Sequence, residues 1–198
     1  MKKVGDYYMI QTKKDLVEFL IQDKKALGKN YNKPKLFNDE IWKFEILLRK
    51  TEYHYNNRKK LYHKLMYFIY VYRLHKMRIK LGYSIPLNVF DSGLSIAHRG
   101  TIVVNGNSKI GKNCRIQEST TIGTTNGSNK APKIGNNVFI GSGARIIGDI
   151  IIADEIAIGA NAVVNKNFTE KGITIAGVPA KKISNNSSRS NLNKSLFI

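Results

Sequence analysis

From Val104 onward, branched apolar residues return every six positions. Val104, Ile110, Ile116 and Ile122 begin the series, and Ile134, Ile140, Ile146, Ile152, Ile158 and Val164 continue it in one register, with only Ser128 out of step. Two positions ahead of each stands a second side chain of interior size: Ile102, Ser108, Cys114, Thr120, Pro132, Val138, Ala144, Ile150, Ile156 and Ala162. A helix repeats near 3.6 residues and a half-buried strand every two, so neither produces this spacing. Short strands meeting at sharp turns do, in the stacked coils of a parallel β-helix. Gly111, Gly123, Gly135, Gly141 and Gly159 each follow a member of the series, as expected if the turns need left-handed backbone. The stretch from Gly123 to Pro132 breaks the repeat but returns to it in register, which predicts a loop leaving the coil.

Before Pro86 the apolar spacing is helical instead. Leu16, Phe19, Leu20 and Leu27 mark a first helix, capped by Thr12 and stopped at Gly28. Ile41, Phe44, Leu47 and Leu48 mark a second, after the capping candidates Asn38 and Asp39. The run "NNRKKLYHKLMYFIYVYRLHKMRIKLG" reads as a third, ending at Gly82. Its middle is apolar nearly all round and predicts burial on more than one side, between subunits. A basic, aromatic helix of this kind also suits peripheral contact with an anionic membrane. The final "SNNSSRSNLNKSLFI" is polar and aperiodic and reads as a disordered tail. The expected class is α+β, with a helical domain over 1–84, a β-helix over 85–184 and the tail over 185–198.

Charge and cysteine usage narrow the class. The chain has 198 residues and a net charge of +19, which favours a polyanionic partner, an anionic cofactor or an acidic surface. That charge alone would fit a nucleic-acid-binding module, but no helix-turn-helix, zinc or RNA-binding signature accompanies it, so no nucleic-acid partner is expected. The single cysteine, Cys114, forms no intrachain disulfide and no multi-cysteine metal site, and no metal is expected. With no signal-like or membrane-spanning apolar run, a cytoplasmic location is expected.

Several segments resemble the left-handed β-helix acyltransferases, and among them the serine acetyltransferases. They are "SGLSIAHRGTIVV", "TTIGTTNGS", "PKIGNNVFIGSGARIIGDI", "IGANAVV" and "AGVPAKKI", spread over Ile85 to Ile183. The resemblance implies left-handed coiling, an acetyl-CoA-dependent O-acetyltransferase, and a homotrimer or dimer of trimers with sites between neighbouring coils. It implies that His98 takes the proton from the acceptor hydroxyl, a task for which the imidazole pKa is suited. It also implies that Gly123, Thr124, Gly141, Ser142, Gly143 and Ala160 line the acetyl-CoA groove, with Lys181 or Lys182 at the nucleotide phosphates. Position 98 lies six before Val104, however, so its phase equally suits a buried, hydrogen-bonded coil residue. Asn88, Asp91 and Glu118 are the polar candidates for orienting His98. Cys114 belongs to the interior series and needs no catalytic role.

The departures from the resemblance bear on the acceptor. Ala97 stands where those enzymes have an aspartate before the histidine, Tyr83 where they have an orienting aspartate, and Ala131 and Lys130 where they have a histidine and an arginine. Those groups would grip the charges of free serine, and a zwitterion needs paired charges when desolvated. With the positive charge, this predicts an acidic acceptor: a hydroxyl of a bacterial surface (capsular) polysaccharide or its sugar precursor. The alternative is a serine O-acetyltransferase of cysteine biosynthesis. A terminal isoleucine, Ile198, also resembles the serine acetyltransferase tail that docks into a partner enzyme.

Overall fold

The computed structural model describes residues 2–4 and 7–197. Ile198, and with it any docking role, lies outside the described residues. A short antiparallel hairpin (Lys2–Val4 with Tyr7–Met9) leads into three helices: α1 (Lys13–Ala26), α2 (Glu40–Asn56) and α3 (Leu61–Leu81). The Thr12 hydroxyl accepts from the Asp15 N–H at 3.1 Å, and the Asp15 carboxylate accepts from the Thr12 N–H at 2.9 Å. This reciprocal pair is the capping expected of Thr12. Asp39 occupies the cap position of α2 without capping it, because its carboxylate is taken by Lys29 (2.7 Å), the Tyr31 hydroxyl and the Lys35 N–H. Gly82 closes α3 in the left-handed conformation (φ 79°), its N–H donating to the Arg78 carbonyl.

The third helix differs from expectation in two ways. It starts at Leu61, so of "NNRKK" the first residue, Asn56, ends α2 and the other four form the turn between the helices. Within one chain only Leu74 and Leu81 of α3 are buried, while Leu61, Tyr62, Leu65, Phe68 and Tyr72 are exposed. The helix lies against α2 along a narrow side, which leaves the rest of its apolar circumference uncovered. Among the described residues no helix is long and apolar enough to cross a membrane.

Beyond α3 the chain winds into a left-handed β-helix with three sheets, parallel except where the last strand, Lys181–Ser184, turns back antiparallel on Thr174–Ala176. The first face stacks Ser95–Ile96, Arg115–Ile116, Phe139–Ile140, Ala157–Ile158 and Thr174–Ala176. The second stacks Tyr83–Ser84, Ile102–Val104, Thr120–Gly123, Arg145–Ile147 and Val163–Val164, and the third Lys109–Ile110, Lys133–Ile134 and Ile151–Ile152. Ile140 pairs with Ile158 and Ile146 with Val164, so these coils take eighteen residues, or three sixes. Ile110 pairs with Ile134, twenty-four later, because the segment after Gly123 loops out and one six never enters the coil. All ten members of the six-residue series are buried, as are the ten side chains two positions ahead of them.

The glycines after the series have a different role from the one expected. None of the five takes positive φ; the left-handed corner positions belong to Asn113, Asn137 and Glu155 on one edge and Ser119, Gly143 and Asn161 on another. Gly141 is there for closeness: a Cβ would come 2.7 Å from the Ala160 nitrogen in the next coil.

The tail is not a disordered end. It forms two short 3-10 turns, Ser188–Asn191 and Lys194–Phe197. The Ser188 N–H donates to the Glu155 carbonyl (3.1 Å), Arg189 reaches the Glu155 carboxylate (2.7 Å), and Leu192 is buried. The segment then reaches α1, where the Ser195 hydroxyl meets the Lys25 carbonyl. Backbone groups, one ion pair and a single buried leucine supply these contacts, and one apolar side chain makes no periodic pattern for hydropathy to reveal.

Candidate active site

Pairing along the first coil explains where His98 goes. Ile96 sits opposite Ile116 and Val104 opposite Ile122, so eight residues in the first coil span the corner that six span in the second. The two extra residues break the phase, and Ile96, not His98, takes the interior place. His98 is exposed. The buried-histidine alternative is thereby overturned.

The widened corner is held from above. The Tyr83 hydroxyl donates to the His98 carbonyl at 2.9 Å, and the Gly100 N–H to the Leu81 carbonyl at 3.2 Å. Tyr83 is buried against Phe44 (ring centroids 5.0 Å apart), and burial drives its phenol well above the ordinary range, so it stays a neutral donor. Gly100 (φ 132°) lies over Glu118 of the coil below: a Cβ there would stand 3.0 Å from the Glu118 Cβ.

Glu118, Ser142 and Ala160 descend from His98 at the same corner, one per coil, because each lies just beyond its strand on the first face. The Ser142 hydroxyl donates to Glu118 Oε1 at 2.6 Å, and the Gly143 N–H donates to the Glu118 carbonyl at 3.0 Å. That bond from Ser142, together with one from its own N–H, holds the Glu118 carboxyl below the usual range, and His98 adds to the effect. Lys181 opens the last strand, opposite Ala176 at the foot of this column, while Lys182 is tied to Glu170. At about 4.8 Å per coil, the column from His98 to Gly177 runs roughly 19 Å.

Thus Gly141, Ser142, Gly143, Ala160 and Lys181 fall on one edge with His98. Gly123 and Thr124 fall on the next edge, where the excursion loop departs. Asn88 and Asp91 are not brought to His98. Asn88 exchanges side-chain hydrogen bonds with Asn56, and Asp91 is buried and bonded to the Ser92 N–H at 2.6 Å. Both hold structural places under the helices instead: Asn88 is tied to Asn56 of α2, and the Asp91 carboxylate closes on the backbone of the following residue. Cys114 is buried, as expected of an interior residue. Among the described residues no three His, Cys, Asp or Glu side chains are grouped to hold a metal ion.

Sequence reasoning misses one feature of the surroundings. Beside Ala97 a cleft of about 240 Å³ opens between the start of α2 and the first coil, and Lys29, Asp39, Glu40, Arg99 and Arg115 line it. Arg99 pairs with Glu40 at 2.9 Å and Lys29 with Asp39 at 2.7 Å. The lining comes from Lys29 and the start of α2 and, more than fifty residues later, from the first two coils, so no local motif reports it.

A family model described as bacterial transferase hexapeptide (six repeats) matches residues 131–166. A serine acetyltransferase of Helicobacter pylori strain J99 is 32% identical over 148 residues, covering 71% of this chain and 86% of the relative. One from Buchnera aphidicola subsp. Acyrthosiphon pisum is 30% identical over 188 residues, covering 89% of this chain but only 65% of the relative. The chain therefore spans less than two thirds of that relative's length. Among solved structures, serine acetyltransferase in complex with Coenzyme A from Brucella abortus strain S19 superimposes with a TM-score of 0.66 at 25% identity, over 88% of this chain and 70% of that one.

Proposed function

The chain belongs to the serine acetyltransferase family, and we propose that it transfers the acetyl group of acetyl-CoA to the hydroxyl of L-serine. The observation that carries this reading is the exposed His98 on a widened corner, in a chain of that family. His98 takes the proton of the acceptor hydroxyl while that oxygen attacks the acetyl carbonyl. It then returns the proton to the departing CoA sulfur, so the imidazole ends as it began. Ser142, Gly143, Ala160 and Lys181 form the acetyl-CoA edge, where small side chains let an extended arm approach the backbone and a lysine meets phosphate. Gly123 and Thr124 join that groove only from a neighbouring chain, which favours a homotrimer or dimer of trimers with the exposed apolar side of α3 covered in the assembly.

The acidic surface polysaccharide expected as acceptor is overturned by the relatives described above, which are serine acetyltransferases. Ala97, Tyr83 and Ala131 do not leave the acceptor site without charge, because charged groups also reach it from outside the β-helix. The cleft beside Ala97 gathers both signs from the helical segment as well, Lys29, Asp39 and Glu40 among them. Such a lining supports a small zwitterion, whose carboxylate and ammonium exchange into existing ion pairs.

The test is CoA release from acetyl-CoA with L-serine, followed with a thiol reagent. Serine-dependent release is expected, and His98→Ala should lower kcat by about 10²- to 10⁴-fold, the usual contribution of a general base. Wild-type protein that leaves serine untouched would refute the acceptor, and an active His98→Ala would refute the base.

A further inference from the structure

A general base needs its imidazole held in one tautomer, and Tyr83, standing where the resembled enzymes have an orienting aspartate, does not do this: it spends its hydroxyl on the His98 carbonyl. The coil below offers a better group. Glu118 has one oxygen clamped by the Ser142 hydroxyl at 2.6 Å. Its other oxygen, Oε2, is shielded from solvent and has no hydrogen-bond partner among the described residues. A shielded carboxylate oxygen without a donor costs free energy, so such an atom calls for an explanation. The corner above it carries the exposed imidazole, and Gly100, lacking a side chain, lets that corner lie on Glu118.

We propose that Glu118 is the positioning residue for His98, its Oε2 accepting the N–H of one imidazole nitrogen so that the other is left to receive the acceptor's proton. The side chain of His98 is exposed and turns between rotamers rapidly, whereas Glu118 is fixed by Ser142 and by the coil. The fixed partner therefore selects the orientation of the mobile one. Glu118 is ionised at neutral pH, since the Ser142 bond keeps its carboxyl below the ordinary range. The other charged groups at this corner are engaged: Arg99 pairs with Glu40, and Arg145 donates to the Ser119 carbonyl. This role rests on the acetyl-transfer reading, with Glu118 acting through His98 and never touching substrate.

The experiment separates the two readings. In full-length protein with ¹⁵N-labelled histidine, the imidazole nitrogen signals are recorded by NMR, and His98 is identified by the signals missing from His98→Ala. His98 should show the signals of one tautomer, and Glu118→Gln, whose amide can face either tautomer, should move them towards the average of two while leaving the other three histidines in place. With acetyl-CoA and L-serine, Glu118→Gln should lower kcat by about 10- to 100-fold, the usual size for a supporting residue. The KM for acetyl-CoA should hold, and Glu118→Asp should recover part of the rate. In a His98→Ala background Glu118→Gln should cost nothing further, because residues acting as one unit are not additive. His98 nitrogen signals unchanged by Glu118→Gln, or an equal loss in both backgrounds, would overturn the proposal. If wild-type protein ignores serine, the acceptor is wrong, and the His98 nitrogen signals still decide Glu118.

Discussion

Cys114 has 1% of its surface exposed, and burial pushes its thiol up to about 12. The thiolate is the nucleophile, so at neutral pH this side chain has almost none of the reactive form and no path for a thioester to reach it. Direct transfer between the two bound substrates follows. Mass spectrometry after incubation with acetyl-CoA alone should find no acetyl adduct on Cys114, and a thiol reagent should label it only on unfolding; a stoichiometric adduct on folded protein would contradict this. His98 shows the opposite case, in which phase suggests burial and the fold denies it. Between them they show that a residue's place in the six-residue series sets its environment only where the coil keeps its length.

Among the secondary-structure elements, the junction between α2 and the first coil matters most. A β-helix ends in backbone N–H groups with no strand above them, and an unpaired buried N–H is costly. Carboxylates from the helices meet this need. Asp23 accepts from the Gly93 and Leu94 N–H groups (2.7 and 2.9 Å), Glu45 from Ile96 (2.9 Å) and Glu52 from Asn88 (2.8 Å). Arg49, fully buried, binds Asp23 and Glu52 and donates to the Phe90 and Asp91 carbonyls. Burial alone would lower its pKa, but the two carboxylates raise it, so it stays charged. Replacing it leaves buried carboxylates uncompensated. Arg49→Leu should therefore destabilise the protein by about 3–5 kcal/mol, measured by denaturant unfolding; a loss under about 1 kcal/mol would refute that role. Sequence pattern reveals the coils because ten branched side chains share one period, and it reveals the helix limits at Thr12 and Gly82 through capping chemistry. It does not reveal this junction, since Glu45, Arg49 and Glu52 read as an exposed polar stripe. Their spacing of four and three places both charge signs on one helix face, beside the apolar stripe, and that is the only local hint. Nor does it reveal the widened corner, because eight residues against six is visible only once Ile96 is paired with Ile116.

For the whole molecule, the tail joins parts that are distant in the chain. It leaves the last coil after Ser184, lies along the edge marked by Glu155 and Asn137, and ends against α1. It thereby links the β-helix to the helices that cap its other end. Leu192 is buried there, and burying a leucine contributes about 1.5–3 kcal/mol. Truncation after Ser184 should accordingly lower the thermal midpoint by several degrees in a chain of this size, since 1 kcal/mol corresponds to about 2–4 °C. The attachment should also depend on pH. The hydrogen bond from Arg189 holds the Glu155 carboxyl below its ordinary value, with Lys171 adding to it. A carboxyl whose folded value is depressed contributes stability above its unfolded value near 4.5 and loses it as pH falls through the folded one. Limited proteolysis should therefore cut the tail faster at pH 3 than at pH 7, and Arg189→Ala should show the faster cutting already at pH 7. Equal rates at both pH values in the unaltered chain would mean that Leu192 and the backbone bonds hold the tail without help from Glu155.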